Sequence, residues 1–307
     1  MRFQTQIIKL REANNLLELN AVEINNGAGF NIKNALKLSK GINIIEKLDY
    51  LNPELNAVKE LGILNNLVND TITVNRNTYG SVVTAIESLK RKIVLNLNLL
   101  NSTIVEVDDS TICIKLIEYK SLDQIGNELK QIDKIITQAI THEKISGTYE
   151  FLTFDIGSSW IYITLSSALA LNFIAGLVWA ACVIRKKWLE GTYLEKTIEQ
   201  MNIKNESLRD IQDANKKQLD RLLESEAKNL MKEFDLDNTN NEYENRLIYS
   251  IKELSQLVNN GVQIQPSLLV KEDSKNLFPD YGKLDLIESK IKLLEKQPNA
   301  HQPDNKD

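Results

Sequence analysis

The chain has 307 residues, 42% of them hydrophobic and 26% charged, with 37 basic against 42 acidic side chains and a net charge of -5. That is long enough for about two domains and apolar enough for at least one core, which excludes a disordered chain. Both signs of charge are mixed along the sequence, so no basic surface for nucleic acid is expected, and the run Lys90, Arg91, Lys92 reads as a solvated helix face.

Two cysteines, Cys113 and Cys182, fit a reducing compartment and read as small buried hydrophobes. The first residues, MRFQTQIIKLREANN, meet charge at Lys9 and Arg11 before an apolar run of signal-peptide length has formed, so no secretory leader is expected.

In chain order, Phe3, Ile7, Leu10, Leu17, Ala21 and Ile24 predict an amphipathic helix over 3–24, stopped by Asn25, Asn26 and Gly27. A helix from Asn31 to Lys40 should stop at Gly41, Asn52-Pro53 should open another, and Tyr79, Val82, Ile86, Leu89, Ile93, Leu97 and Leu100 mark a long helix from about Asn77. Residues 1–101 thus read as an N-terminal helical layer.

After Asn101 the pattern changes. TICIKLIEY alternates Ile112, Ile114 and Leu116 against Cys113, Lys115 and Ile117, the period of a strand. Ser121 fits a helix N-cap, followed by the stripe Leu122, Ile125, Leu129, Ile132, Ile136, Ala139. EFLTFDIGSSWIYITLSS reads as a hairpin with Leu152, Phe154 and Ile156 sharing one strand face and Ile161, Ile163 and Leu165 another. Residues 102–166 therefore form a small α+β unit of order β-α-β-β, and Ser166 or Ser167 should cap the next helix.

Residues 167–184 form a helix apolar on every side, which must be buried all round. The charge-free run from Trp160 to Ile184 meets the roughly 20 residues that a bilayer core requires. Trp160, Tyr162 and Trp188 resemble interface aromatics, and Arg185, Lys186 and Lys187 resemble a cytoplasmic positive cluster. Gly176 and Ala180 would let two such helices approach closely, and Asn172 in the middle would need a partner.

Residues 185–234 continue as a heptad-patterned helix with Leu194, Ile198, Met201, Leu208, Leu219 and Leu222 on one seam, interrupted by Asn205, Gln212 and Asn215. That seam serves either a coiled coil or packing within one domain. Residues 235–297 form a C-terminal helical region, with a helix through Leu247, Ile251, Leu254 and Val258 stopping at Gly261 and a short helix through Leu284, Ile287, Ile291 and Leu294. Residues 298–307 read as a disordered tail.

No catalytic, cofactor or metal site is expected. His142 and His301 cannot assemble a zinc site or a triad, and His142-Glu143 does not extend to HExxH. NNGAGFN at 25–31 lacks the P-loop ending, DLDNTNN with Asp235 and Asp237 lacks the EF-hand glycine and glutamate, GSSW lacks GxSxG, and Asp155 reads as a turn former. Asp108-Asp109 reads as a solvated loop.

The fold expected is mostly α: an N-terminal helical layer, a small α+β unit, and one strongly apolar helix running into a long heptad-patterned helix. The leading functional expectation is a non-enzymatic, membrane-associated assembly or scaffold protein, a homo-oligomer with its C-terminal region cytoplasmic, its apolar helix meeting lipid or a protein partner. The alternatives are a soluble cytoplasmic oligomeric adaptor whose apolar helix is buried at a subunit interface, and a membrane-inserting effector or toxin.

Overall fold

The computed structural model describes residues 2–24, 28–64, 67, 69–103, 107–118, 121–155, 159–200, 205–237, 241–268 and 276–291. The chain is mostly α-helical with two small antiparallel sheets, and it divides into two compact units between residues 106 and 107.

Unit 1 contains α1 (Phe3–Leu16), β1 (Ala21–Ile24), β2 (Gly29–Ile32), α2 (Ala35–Ile45), α3 (Asn52–Glu60), β3 (Ile72–Asn75) and α4 (Arg76–Thr103). Its core joins Ile7, Leu10 and Ala13 of α1 to Leu38 and Ile42 of α2 and to Ile86, Leu89 and Ile93 of α4. It is not the purely helical layer that periodicity implied. The first helix stops at Leu16, because Asn34 binds the chain beyond it: its Oδ1 accepts from the Asn20 N–H at 3.1 Å and its Nδ2 donates to the Glu18 carbonyl. Ala21 and Ile24 then lie in β1, which pairs with β2, and β2 pairs in turn with β3.

Gly41 lies inside α2 rather than ending it. A Cβ there would stand 3.1 Å from the Leu16 Cβ, so the glycine permits close packing at the end of α1. Asn75 starts α4 by accepting the Thr78 N–H on its side chain at 2.8 Å.

Unit 2 contains β4 (Thr111–Lys115), α5 (Leu122–Ile140), β5 (Tyr149–Asp155), β6 (Trp160–Leu165), α6 (Ala168–Gln200), α7 (Asn205–Glu233), α8 (Asn241–Asn260) and β7 (Gln263–Pro266). The strand order is β5-β6-β4-β7, all antiparallel. The expected β-α-β-β run is present, and β7 adds a fourth strand that sequence reading missed. Ser121 caps α5, its Oγ accepting the Gln124 N–H, and Ser167 caps α6 by accepting the Ala170 N–H at 3.1 Å.

The hairpin departs from simple alternation. A bulge between Phe151 and Thr153 shifts the register, so Leu152 packs beside Cys113, Trp160 and Tyr162 while Phe151 and Phe154 both turn toward α5. Leu152 and Phe154 therefore do not share a face, and Ile156 lies outside the described residues.

One continuous core runs from Ile112 and Ile114 of β4 through Ile132 and Ile136 of α5, the whole apolar half of α6, Leu230 of α7 and Leu247, Ile251 and Leu254 of α8. The expected α+β, apolar-helix and C-terminal segments are one packed body.

Candidate functional site

Helix α6 changes character along its length. From Ala170 to Ile184 nearly every side chain is buried, with Phe173, Val178, Ala181 and Cys182 at 0% exposure. Burial raises the Cys182 thiol to about 12, and neither cysteine is in a disulfide. Phe173 meets Phe234 edge to face at 5.0 Å between ring centroids. A Cβ at Gly176 would lie 2.6 Å from the Leu230 Cδ1, so this small residue admits a side chain of α7, and Ala180 is likewise buried in the same core.

Several of the residues expected at a bilayer have partners within unit 2, and others are exposed. Asn172 is exposed and needs no partner in a core. Trp160 and Tyr162 belong to β6, where Tyr162 donates to the buried Asp155 carboxylate at 3.2 Å, so Asp155 is a strand residue rather than a turn former. Of the basic cluster, Lys186 donates to the Ile287 carbonyl at 3.0 Å, Lys187 pairs with Glu190, and Arg185 is partly buried. Trp179 donates its indole N–H to the Glu288 carbonyl at 2.9 Å. Residues 284–291 thereby strap across α6. The strap begins as a 3₁₀ turn at Leu284–Leu286 and is extended at Ile287, not the helix expected through Leu284 and Ile287, and Leu294 lies outside the described residues.

Beyond Ile184 burial collapses. Ile198 is the one residue of α6 from 185 to 200 that is buried, while Trp188, Tyr193 and Leu194 are 46%, 70% and 48% exposed. The expected single heptad helix over 185–234 is two helices. Gly176 faces Leu230, and Gly191, fifteen residues further along α6, faces Asn215, fifteen residues earlier in α7. Helix α7 therefore runs back antiparallel along α6, and the same register sets Ile198 opposite Leu208. Leu208, Ile211, Leu219 and Leu222 are half-buried along this hairpin arm, Gln212 is exposed, and Met201 lies outside the described residues.

The seam residues are brought together, but across a fold-back rather than along one helix. A groove of about 700 Å³ follows the arm between Leu194 of α6 and Leu219 and Leu222 of α7, closed at its base by Ile287 and Ser289. In its floor, the Nδ2 of Asn215 is buried without a hydrogen-bond partner. Lower down, Glu226 is buried, and that burial raises its carboxyl above the ordinary range, partly offset by the Ser289 hydroxyl and the Lys290 ammonium.

Other sequence candidates take structural places. The His142 ring lies tilted against that of Tyr243, 4.6 Å between centroids, and Tyr243 donates to the Ala139 carbonyl at 2.6 Å. Asp108 is no merely solvated carboxylate, since it accepts from Ser110 N–H at 2.9 Å and from the Thr111 hydroxyl at 2.9 Å, building the turn into β4. Asp235 ends α7 at φ 51° and pairs with Lys144 at 2.9 Å. Gly29 of NNGAGFN lies in β2 against the Val74 carbonyl, and residues 25–27, Gly157, Ser158, His301 and residues 298–307 lie outside the described residues. Among the described residues, no group of three His, Cys, Asp or Glu side chains is placed to hold a metal.

No protein-family model matches the chain, and no solved structure matches it. It is similar to uncharacterized protein YqaP of Bacillus subtilis strain 168, 27% identical over 304 residues, an alignment that covers 94% of this chain and 97% of that one. The likeness therefore extends through both units, the buried half of α6 and its exposed arm alike.

Proposed function

We propose that the chain is a non-enzymatic assembly protein of the cytoplasm, which keeps its apolar helix as the core of unit 2 and uses the α6–α7 arm to associate with a second copy of itself. The observation that carries this reading is the loss of burial along α6 past Ile184, which leaves Trp188, Tyr193 and Leu194 exposed on a slender two-helix hairpin. The arm from 185 to 200 is about 24 Å long, and two helices alone cannot cover their own apolar seam. Pairing two hairpins into a four-helix bundle would bury that seam. Its charges also suit a self-complementary interface, since Lys187, Glu190, Glu195, Lys196, Asp213 and Lys216 place both signs on each helix of the arm.

A second reading, membrane association, is favoured by one feature: α6 is long and apolar enough to cross a bilayer by length and composition. Insertion would require unit 2 to surrender the core that α6 organises, so the assembly reading is preferred. Carbonate extraction followed by light scattering on the soluble fraction separates the two. The assembly reading expects the chain in the soluble fraction at a multiple of its monomer mass, and Tyr193→Asp with Leu194→Asp to return it to monomer. A wild type released only by detergent, or a variant that keeps the multiple mass, would overturn it.

A further inference from the structure

The second exposed apolar feature of unit 2 is far in sequence from the arm and follows from the β5 bulge. In an unbroken strand, residues three apart lie on opposite faces. The extra residue at the bulge puts Phe151 and Phe154 on the same face, where their rings meet at 5.0 Å and 57°. They remain 53% and 52% exposed, although buried isoleucines lie directly beneath them.

Between these rings and α5 lies a cavity of about 340 Å³. Its floor is Ile132 and Ile136 of α5 with Ile161 and Ile163 of β6, and its size is that of a small-molecule site. The apolar surface continues along α5, because Leu122, Gly126 and Leu129 share the face of Asp133 at spacings of three and four. Leu122 is 87% exposed, and a Cβ on Gly126 would meet nothing within 4 Å, so this end is open.

The other end is polar. Among the described residues, Asp133 is the one charged side chain in the lining, and its Oδ1 accepts from the hydroxyls of Tyr149 and Thr137. Burial and the neighbouring carboxylate push the Tyr149 hydroxyl up to about 12, so it stays a donor at neutral pH. The Asp133 Oδ2 has no partner among the described residues. An added peptide strand is a poor fit, because the bulge interrupts the hydrogen-bond ladder that such a strand would need.

We propose that this cavity binds a single-chain amphiphile with a cationic head, its alkyl chain lying between α5 and the Phe151–Phe154 pair and its ammonium on Asp133. The test is calorimetric titration of the full chain with octylamine, octanol and octanoate, each below its aggregation concentration, with isoleucine methyl resonances followed in parallel. Octylamine should saturate one site and bind about tenfold more tightly than octanoate, as a charge-assisted contact replaced by repulsion implies. Asp133→Asn should reduce octylamine to the affinity of octanol, and Leu129→Trp should fill the cavity and abolish all three. The Phe151→Ser, Phe154→Ser double variant changes only half-exposed side chains, so it carries the same loss should Leu129→Trp fail to fold. Non-saturable uptake, octanoate binding as tightly as octylamine, or full binding by the double variant would overturn the proposal. Tyr193→Asp with Leu194→Asp should leave octylamine binding intact, which keeps this result separate from the fate of the arm.

Discussion

The two halves of α6 share one helix and one hydrogen-bonded backbone, yet they have opposite relations to the rest of the chain. The first half is enclosed by the sheet, α5, α7 and α8, and its small residues mark where neighbours come close. The second half runs beside α7, with Gly191 against Asn215, and it shows aromatic side chains to solvent. Hydropathy registers only the first half, and a heptad pattern registers only the second. What the pair teaches is that an apolar helix flanked by basic residues is equally the signature of a core helix that outgrows its own domain.

That contrast can be broken most strongly at Gly176. Gly176→Arg puts a charge and a long side chain where Leu230 packs, and the expected cost is roughly 3 to 5 kcal/mol or more. Circular dichroism should show loss of the cooperative melt of unit 2. A folded, soluble variant with an unchanged melting temperature would mean that α6 is not packed as described.

At the arm the same kind of change should do little to folding. Tyr193→Asp with Leu194→Asp alters exposed positions, and each should shift unfolding free energy by about 0.5 kcal/mol or less in the monomer. Its effect belongs to mass in solution.

The junction of the halves is sensitive to pH through Glu226. Its raised carboxyl means that folding favours the protonated form. The stability this gives is fully present below the ordinary glutamate value of 4.5 and is lost as pH rises through the raised one. Glu226→Gln should therefore unfold at higher urea than wild type near neutral pH, with the gap closing in mild acid. A gap that widens in acid would show the sign to be wrong.

The most local change is Asn215→Ala. It removes a buried amide that lacks a partner and places a better helix former against Gly191, for a gain of about 1 kcal/mol in arm stability. Hydrogen exchange of α7 amides would register it, and faster exchange in the variant would show that Asn215 fixes the hairpin register after all.

Much of unit 2 was legible because its signals are local. Ser121 and Ser167 stand where caps must stand, and β4 alternates cleanly. In unit 1 the sequence misled at Ala21 and Ile24, whose spacing of three also suits two ends of a short strand. The β-branched run Ile72, Thr73, Val74 is the usable signal for β3. The fold-back of α7 was not legible, since a four-three alternation is the same whether the seam faces another chain or its own reversed continuation. The cavity was hidden for a different reason: a bulge depends on how β5 registers against β6, and no spacing within β5 announces it.

The two outer strands of the larger sheet have a consequence for crowded copies of the chain. At one border β5 carries the bulge, and at the other β7 ends in Pro266, which has no N–H to offer. Open strand borders are where sheets from separate molecules fuse into fibrils. With one border kinked and the other missing a donor, the proposed pairing of arms would bring copies of the chain close together while giving their sheets little to fuse along.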